Sequence, residues 1–137
     1  MPHRLELVAE GRGVRYVNDS KATNVAAARR GLAAYADDPV HLILGGSLKG
    51  EDFRPLGEAI GPNVRSIHLI GAAAERLAAA VGGHDDGTLS RAVEHAAAQA
   101  SPGDVILLSP ACASYDQFEN FEERGEEFRR LSRTQTE

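Results

Sequence analysis

Three short stretches of this 137-residue chain gather side chains suited to holding a small anion. The first is Asn18-Asp19-Ser20-Lys21-Ala22-Thr23-Asn24. It sets an acid, a base and two hydroxyls just ahead of a helical pattern. Lys21 and the free N–H groups of a helix start suit a negative ligand. The same residues also suit plain capping, because Asp, Ser, Thr and Asn are all good N-caps. The second stretch is Gly45-Gly46-Ser47-Leu48-Lys49-Gly50-Glu51-Asp52-Phe53. Its glycine pair lets backbone approach a ligand closely, and Lys49 stands among small residues. The spacing is not that of a Walker A loop, and no GxGxxG occurs in the chain. A solvated lysine on a surface loop is the competing reading. The third stretch is Ser109-Pro110-Ala111-Cys112-Ala113-Ser114-Tyr115-Asp116-Gln117-Phe118. Ser114 could donate to a carboxylate, and the helix start beyond it adds N–H donors. Cys112 has no matched His and acid at a telling spacing, so it reads as a small buried residue rather than a nucleophile. Taken together, two lysines and several hydroxyls describe a pocket for a small acid or a phosphate.

The elements around these stretches alternate. Leu5–Glu10 and Val14–Val17, joined by Gly11-Arg12-Gly13, read as an antiparallel hairpin. Helical spacing follows over Asn24–Ala36, then an apolar strand over Val40–Leu44. A short helix over Leu56–Ile60 has Pro55 in its first turn, where a missing N–H costs little. A strand lies within Val64–Ile70, and helices cover Ala72–Val81 and Thr88–Ala100, the latter capped by Thr88 or Asp86. Val105–Leu108 is a third buried strand, and Phe118, Phe121, Phe128 and Leu131 mark a final helix. The polar end, Ser132 to Glu137, is expected to fray. Apolar strands alternating with helices predict a Rossmann-like, doubly wound α/β domain over residues 1–137, its mostly parallel sheet edged by the N-terminal hairpin. Ligands of such folds bind beyond the carboxyl ends of the strands, where all three stretches fall.

The strings NDSKATN, LGGSLKGEDF and SPACASYDQFENFEERGEEF, in this order, resemble the C-terminal domain of the Mur ligases, in particular the members that add D-glutamate. The resemblance covers about residues 3–131. It implies an ATP-dependent, ADP-forming amide ligase of peptidoglycan synthesis. In such an enzyme the carboxylate of UDP-N-acetylmuramoyl-L-alanine becomes an acyl phosphate, which the amine of D-glutamate attacks. By resemblance Thr23, Lys49, Ser114, Tyr115 and Phe121 contact D-glutamate. Asp19 and Lys21 take catalytic positions facing the ATP phosphates, and Arg4 contacts the nucleotide. Two departures bear on the pocket. Ser47-Leu48 stands where many relatives carry a more acidic or glycine-rich pair, and Tyr115 replaces an aliphatic residue.

ATP and Mg2+ are expected to be held mainly by a central domain, and the UDP-sugar by an N-terminal one. This chain has no P-loop, so by itself it is expected to be inactive and to hold no metal. His41 and His68, early in two strands and without a matching carboxylate pair, read as ordinary strand residues. The charged run Glu122-Glu123-Arg124, Glu126-Glu127 and Arg129-Arg130 reads as a solvated helix face laced with i,i+3 and i,i+4 pairs. Gly125 inside that helix costs roughly 1 kcal/mol, which implies close packing.

Composition narrows the remaining classes. A net charge of -5 argues against nucleic acid or an anionic membrane as the partner. The lone cysteine excludes an intrachain disulfide and fits a reducing cytoplasm. No apolar run is long enough to span a bilayer. The core must be aliphatic, since aromatics make up 5% of the chain and Trp is absent. A monomer is expected. The alternatives are a non-catalytic module binding a small ligand or nucleotide, and a domain that only docks on other protein.

Overall fold

The computed structural model describes residues 1–137. Six strands form one sheet: β1 (Glu6–Gly11), β2 (Val14–Asn18), β3 (Val40–Gly45), β4 (Val64–Ile70), β5 (His84–Gly87) and β6 (Val105–Leu108). Their order is β1-β2-β6-β3-β4-β5, with β1 antiparallel to β2 and all other pairs parallel. The helices are α1 (Val25–Ala34), α2 (Arg54–Ala59), α3 (Ala74–Val81), α4 (Leu89–Gln99) and α5 (Phe121–Gln135). The expected doubly wound fold with its edge hairpin is therefore present.

Alternation along the strands feeds two cores. Val40, Leu42 and Leu44 of β3 join Leu32, Leu56 and Leu77 of α1, α2 and α3 on one face. Ile43, Ile70, Ile106 and Leu108 meet Val93 of α4 and Phe128 of α5 on the other. Because β2, β6, β3 and β4 run parallel, their carboxyl ends all open at one edge. Winding changes direction between β6 and β3, so the loops after β2, β3 and β6 meet at the topological switch point.

One strand was not foreseen, and one sequence expectation needs correction. The segment His84–Gly87 is a strand although it is fully polar, HDDG, with no apolar alternation. It pairs with β4 through backbone, which polarity does not prevent. Residues 132–137 do not fray as a whole. Helix α5 runs to Gln135, Ser132 is fully buried, and the Arg12 guanidinium donates to the Glu137 carbonyl at 2.9 Å. Gly11 admits this docking, since a Cβ there would lie 2.6 Å from Thr136 Cβ.

Candidate functional site

Backbone bonds knit the three loops together. Asp19 N donates to Leu108 O at 2.8 Å, Ala111 N to Ala22 O at 2.9 Å, Gly45 N to Pro110 O at 2.9 Å and Ser47 N to Ala113 O at 2.8 Å. The glycine pair after β3 is required by this crowding. Gly46 sits at φ 145, and a Cβ there would meet Ala113 O at 2.2 Å. Ala111 takes a left-handed φ of 64, a conformation that costs an L-residue roughly 1–2 kcal/mol. Asp116 binds the loop after β6 to its neighbours: its N–H donates to Ser47 Oγ at 3.1 Å, and its Oδ2 accepts from Ala72 N at 3.0 Å.

At the centre lies Arg124, fully buried. Its Nε donates to Ser20 Oγ at 2.9 Å and its Nη2 to Ser20 O at 2.8 Å. Ser20 Oγ in turn donates to Phe121 O at 2.7 Å. Arg124 faces no bonded carboxylate. Burial holds its guanidinium down to about 10, against the weaker opposing pull of Cys112 and Asp116. Arg124 thus departs from the solvated face expected of the charged run, although Arg129–Glu126 and Arg130–Glu127 do pair at i,i+3. Sequence reasoning missed it because its neighbours in the run point outward and only the helix phase turns residue 124 inward. Gly125 is tightly packed, as expected: a Cβ there would sit 2.1 Å from His3 Nδ1.

Asp19 also points inward. It is 4% exposed, its Oδ1 accepts from Leu5 N at 3.2 Å, and its Oδ2 accepts from Ser109 Oγ at 2.7 Å. Burial raises its pKa, opposed by those two bonds and by Arg4 and Arg30. Asp19 lines a cleft of about 410 Å³ with Arg4, Lys21, Asn24 and Arg30. Arg30, on α1, was not foreseen; only helix phase brings it beside Lys21. Asn24 caps α1, accepting from Ala27 N at 2.9 Å, so the capping reading holds for Asn24 while Asp19 and Ser20 serve the junction.

The remaining expected residues do not line this cleft. Lys49 is exposed, and its Nζ stands 5.2 Å from the centroid of the Tyr115 ring, itself 67% exposed. The ring therefore touches the lysine through its side chain. Ser114 is buried, and its Oγ lacks a partner, as does Nη1 of Arg124. Phe121 opens α5 and meets the His3 ring edge-on at 6.0 Å. Thr23 is half-buried in the loop after β2. Cys112 is fully buried and its thiol is pushed up to about 12, chiefly by burial, which fits an inert packing residue.

His41 and His68 do have carboxylate partners, contrary to the sequence reading. His41 Nε2 lies 2.7 Å from Asp104 Oδ2, and His68 Nδ1 lies 2.8 Å from Asp86 Oδ2. Separations of 63 and 18 residues hid these pairs.

The chain is similar to several known proteins. Residues 3–112 match the family model of the Mur ligase glutamate ligase domain. The chain is 50% identical to the UDP-N-acetylmuramoylalanine–D-glutamate ligase of Acidobacterium capsulatum, covering 94% of this chain and 29% of that protein. It is 52% identical to the ligase of the same name from Anaeromyxobacter dehalogenans, covering 97% of this chain and 30% of that protein. The chain thus spans about three-tenths of the length of these curated relatives. Among solved structures, the bifunctional folylpolyglutamate synthase/dihydrofolate synthase of Yersinia pestis superposes with a TM-score of 0.70 at 20% identity, over 96% of this chain and 31% of that one. The MurF ligase of Thermotoga maritima, solved with ADP, superposes at 0.66 and 18% identity, over 96% and 31%.

Proposed function

The chain belongs to the family of the Mur ligase glutamate ligase domain, and from that membership we propose that it is the D-glutamate-binding part of a UDP-N-acetylmuramoylalanine–D-glutamate ligase. The reaction would be ATP-dependent amide formation in peptidoglycan synthesis. ATP would phosphorylate the carboxylate of UDP-N-acetylmuramoyl-L-alanine, releasing ADP, and the D-glutamate amine would then attack the acyl phosphate, giving the amide and phosphate. Most of the machinery would lie outside this chain.

The observation that carries the reading is the convergence of Arg4, Lys21 and Arg30 on one cleft at the carboxyl end of β2. Three cations there suit the phosphates of ATP, and backbone N–H groups at the start of α1 add to them. The donor set fits a polyphosphate but not magnesium. The cleft's one carboxylate, Asp19, already accepts from Leu5 N and Ser109 Oγ. Asp19 would accordingly be a positioning residue, its carboxylate tying the backbone at Leu5 to Ser109 rather than meeting metal. Magnesium would be held in another part of the longer ligase and would neutralise charge on the transferring phosphoryl group.

D-Glutamate would lie on the far side of Arg124, against Lys49, Thr23 and Ser114. Lys49 would pair with one carboxylate, and the unpartnered Ser114 Oγ would donate to the ligand. Phe121 and the exposed Tyr115 ring would border the carbon chain. No helix is long and apolar enough to cross a membrane, which accords with a ligase working on soluble precursors in the cytoplasm.

The test is a chimera in which this chain replaces the matching segment of the Acidobacterium capsulatum ligase. Lys49→Ala should raise KM for D-glutamate at least tenfold, since a charged hydrogen bond is worth roughly 1.5–3 kcal/mol. KM for ATP should stay within about twofold, because Lys49 lies outside the cationic cleft. Equal losses for both substrates would overturn the assignment.

A further inference from the structure

Of the five histidines in the chain, four join one network on the α4 side of the sheet, away from the three loops. Its centre is Asp86, 9% exposed on β5. His68 Nδ1 of β4 lies 2.8 Å from Asp86 Oδ2, and His84 Nδ1 of β5 lies 2.9 Å from Oδ1. His95 Nδ1 of α4 lies 3.0 and 3.2 Å from the two oxygens. The ligating atoms of His68, Asp86 and His95 all fall within 4.8 Å of one another. Behind His68 the chain of contacts continues. Its Nε2 is 2.8 Å from Ser66 Oγ, which is 2.7 Å from His41 Nδ1, while His41 Nε2 is 2.7 Å from Asp104 Oδ2.

Hydrogen counting along this chain is informative. Four contacts run from Asp86 through His68, Ser66 and His41 to Asp104, and each needs one hydrogen. The serine hydroxyl supplies one and two neutral imidazoles supply two. One contact between buried groups is left without a hydrogen, which is costly at low dielectric. A cation on His68 Nδ1 removes the shortfall. His68 Nε2–H then donates to Ser66, the Ser66 hydroxyl to His41 Nδ1, and His41 Nε2–H to Asp104. Every polar atom of the chain is satisfied with neutral rings. This is also how metal-bound histidines are ordinarily held, with the second ring nitrogen donating outward.

We propose that His68, Asp86 and His95 form a binding site for a zinc-class divalent transition metal. Two imidazole nitrogens and one carboxylate are a donor set that suits zinc. Bonds of ~2.0–2.1 Å place tetrahedral ligands about 3.3 Å apart. The nitrogen–oxygen distances from His68 and His95 to Asp86, 2.8–3.2 Å, are close to that, and with all three donor atoms within 4.8 Å of one another the metal would draw the two rings together. Binding releases any Nδ1 protons to solvent. The site has three protein ligands, with a fourth position left to water. It clips the polar edge strand β5 to β4 and α4. Next to Asp86, the Gly87 carbonyl accepts from Gln117 Nε2 at 2.9 Å, so the clip also steadies the seat of the loop after β6.

The test uses the tag-free 137-residue chain, stripped with chelator and titrated with Co2+ and then Zn2+. The site predicts one Co2+ per chain with the visible absorption of a tetrahedral ion, displaced by Zn2+, and a rise in Tm with either metal. His95 is partly exposed, so His95→Gln should leave the far-UV circular dichroism unchanged. It should weaken Co2+ at least ~10–100-fold, the loss that removal of even an outer partner causes. The near-isosteric Asp86→Asn should do the same. Absence of stoichiometric Co2+ or Zn2+ binding at micromolar metal would overturn the proposal. So would an affinity that His95→Gln leaves unchanged.

Discussion

The loop junction and the histidine edge both bury charged side chains, but they neutralise them in opposite ways. At the junction the fully buried Arg124 is bonded only to Ser20, through neutral oxygens. At the edge, Asp86 and Asp104 each meet imidazole rings, and Asp86 meets three. The junction leaves Arg124 Nη1 and Ser114 Oγ without partners, two of three such buried side-chain atoms in the chain. Each such atom costs roughly 1–3 kcal/mol. A ligand or a closing domain that supplied acceptors there would recover that cost. The edge has its acceptors matched and lacks only a hydrogen or a cation. A region that leaves buried donors open is poised for something that comes and goes. A region that closes on itself is poised to hold the fold.

The comparison can be broken most directly at Arg124. Arg124→Ala should destabilise the chain by about 3 kcal/mol in urea unfolding, through the cavity and the bonds lost from Ser20. Arg124→Met, which refills most of the volume and removes the unpartnered charge, should cost clearly less. If both cost the same, refilled volume and removed charge count for nothing, the lost bonds to Ser20 explain the residue, and its unpartnered charge carries no penalty. A second change probes the same junction from behind. In most helices Gly→Ala gains about 1 kcal/mol. At Gly125 the sign should reverse, to a loss of roughly 2 kcal/mol, because the new Cβ would overlap His3 Nδ1 and lie 3.0 Å from Asn18 Nδ2.

The smallest effect sharpens the contrast through pH. Burial raises Asp19, with Ser109 and Leu5 opposing. Burial also pushes Asp104 up, but the Ser101 N–H and His41 outweigh it and leave Asp104 low. A raised carboxyl contributes stability below its unfolded value near 3.8, lost as pH climbs through its folded value. A lowered one contributes stability above 3.8, lost as pH falls through its folded value. Asp19→Asn should therefore compare increasingly well with the parent chain between pH 3 and 7, and Asp104→Asn increasingly poorly. Both trends should be smaller than the losses at Arg124 and Gly125. Trends of the same sign in unfolding free energy against pH would erase the distinction.

Much of the junction was legible because it is made of contiguous strings. Asp19 to Asn24, Gly45 to Phe53 and Ser109 to Phe118 each follow a strand, and parallel pairing sends all three to one edge. Asp19 was legible as important but not in its orientation. A carboxylate in a string looks the same whether it faces solvent or, as here, Ser109. The histidine edge was illegible for a different reason. Its members come from β3, β4, β5, α4 and the turn before β6, at no regular spacing. The polar strand β5 carries no periodicity at all. Arg124 hid inside a run of seven charged positions of which it alone is fully buried.

The sequence by itself determined the α/β alternation, the two-sided sheet and the three polar loops. Each of these follows from local propensity or from a periodicity of a few residues. Only the tertiary structure decided which charges are buried, which carboxylate meets which histidine, and that Arg4, Lys21 and Arg30 share a cleft. Those outcomes depend on helix phase and strand order. Both are set by how the two cores pack, and packing is a property of the whole chain rather than of any window within it.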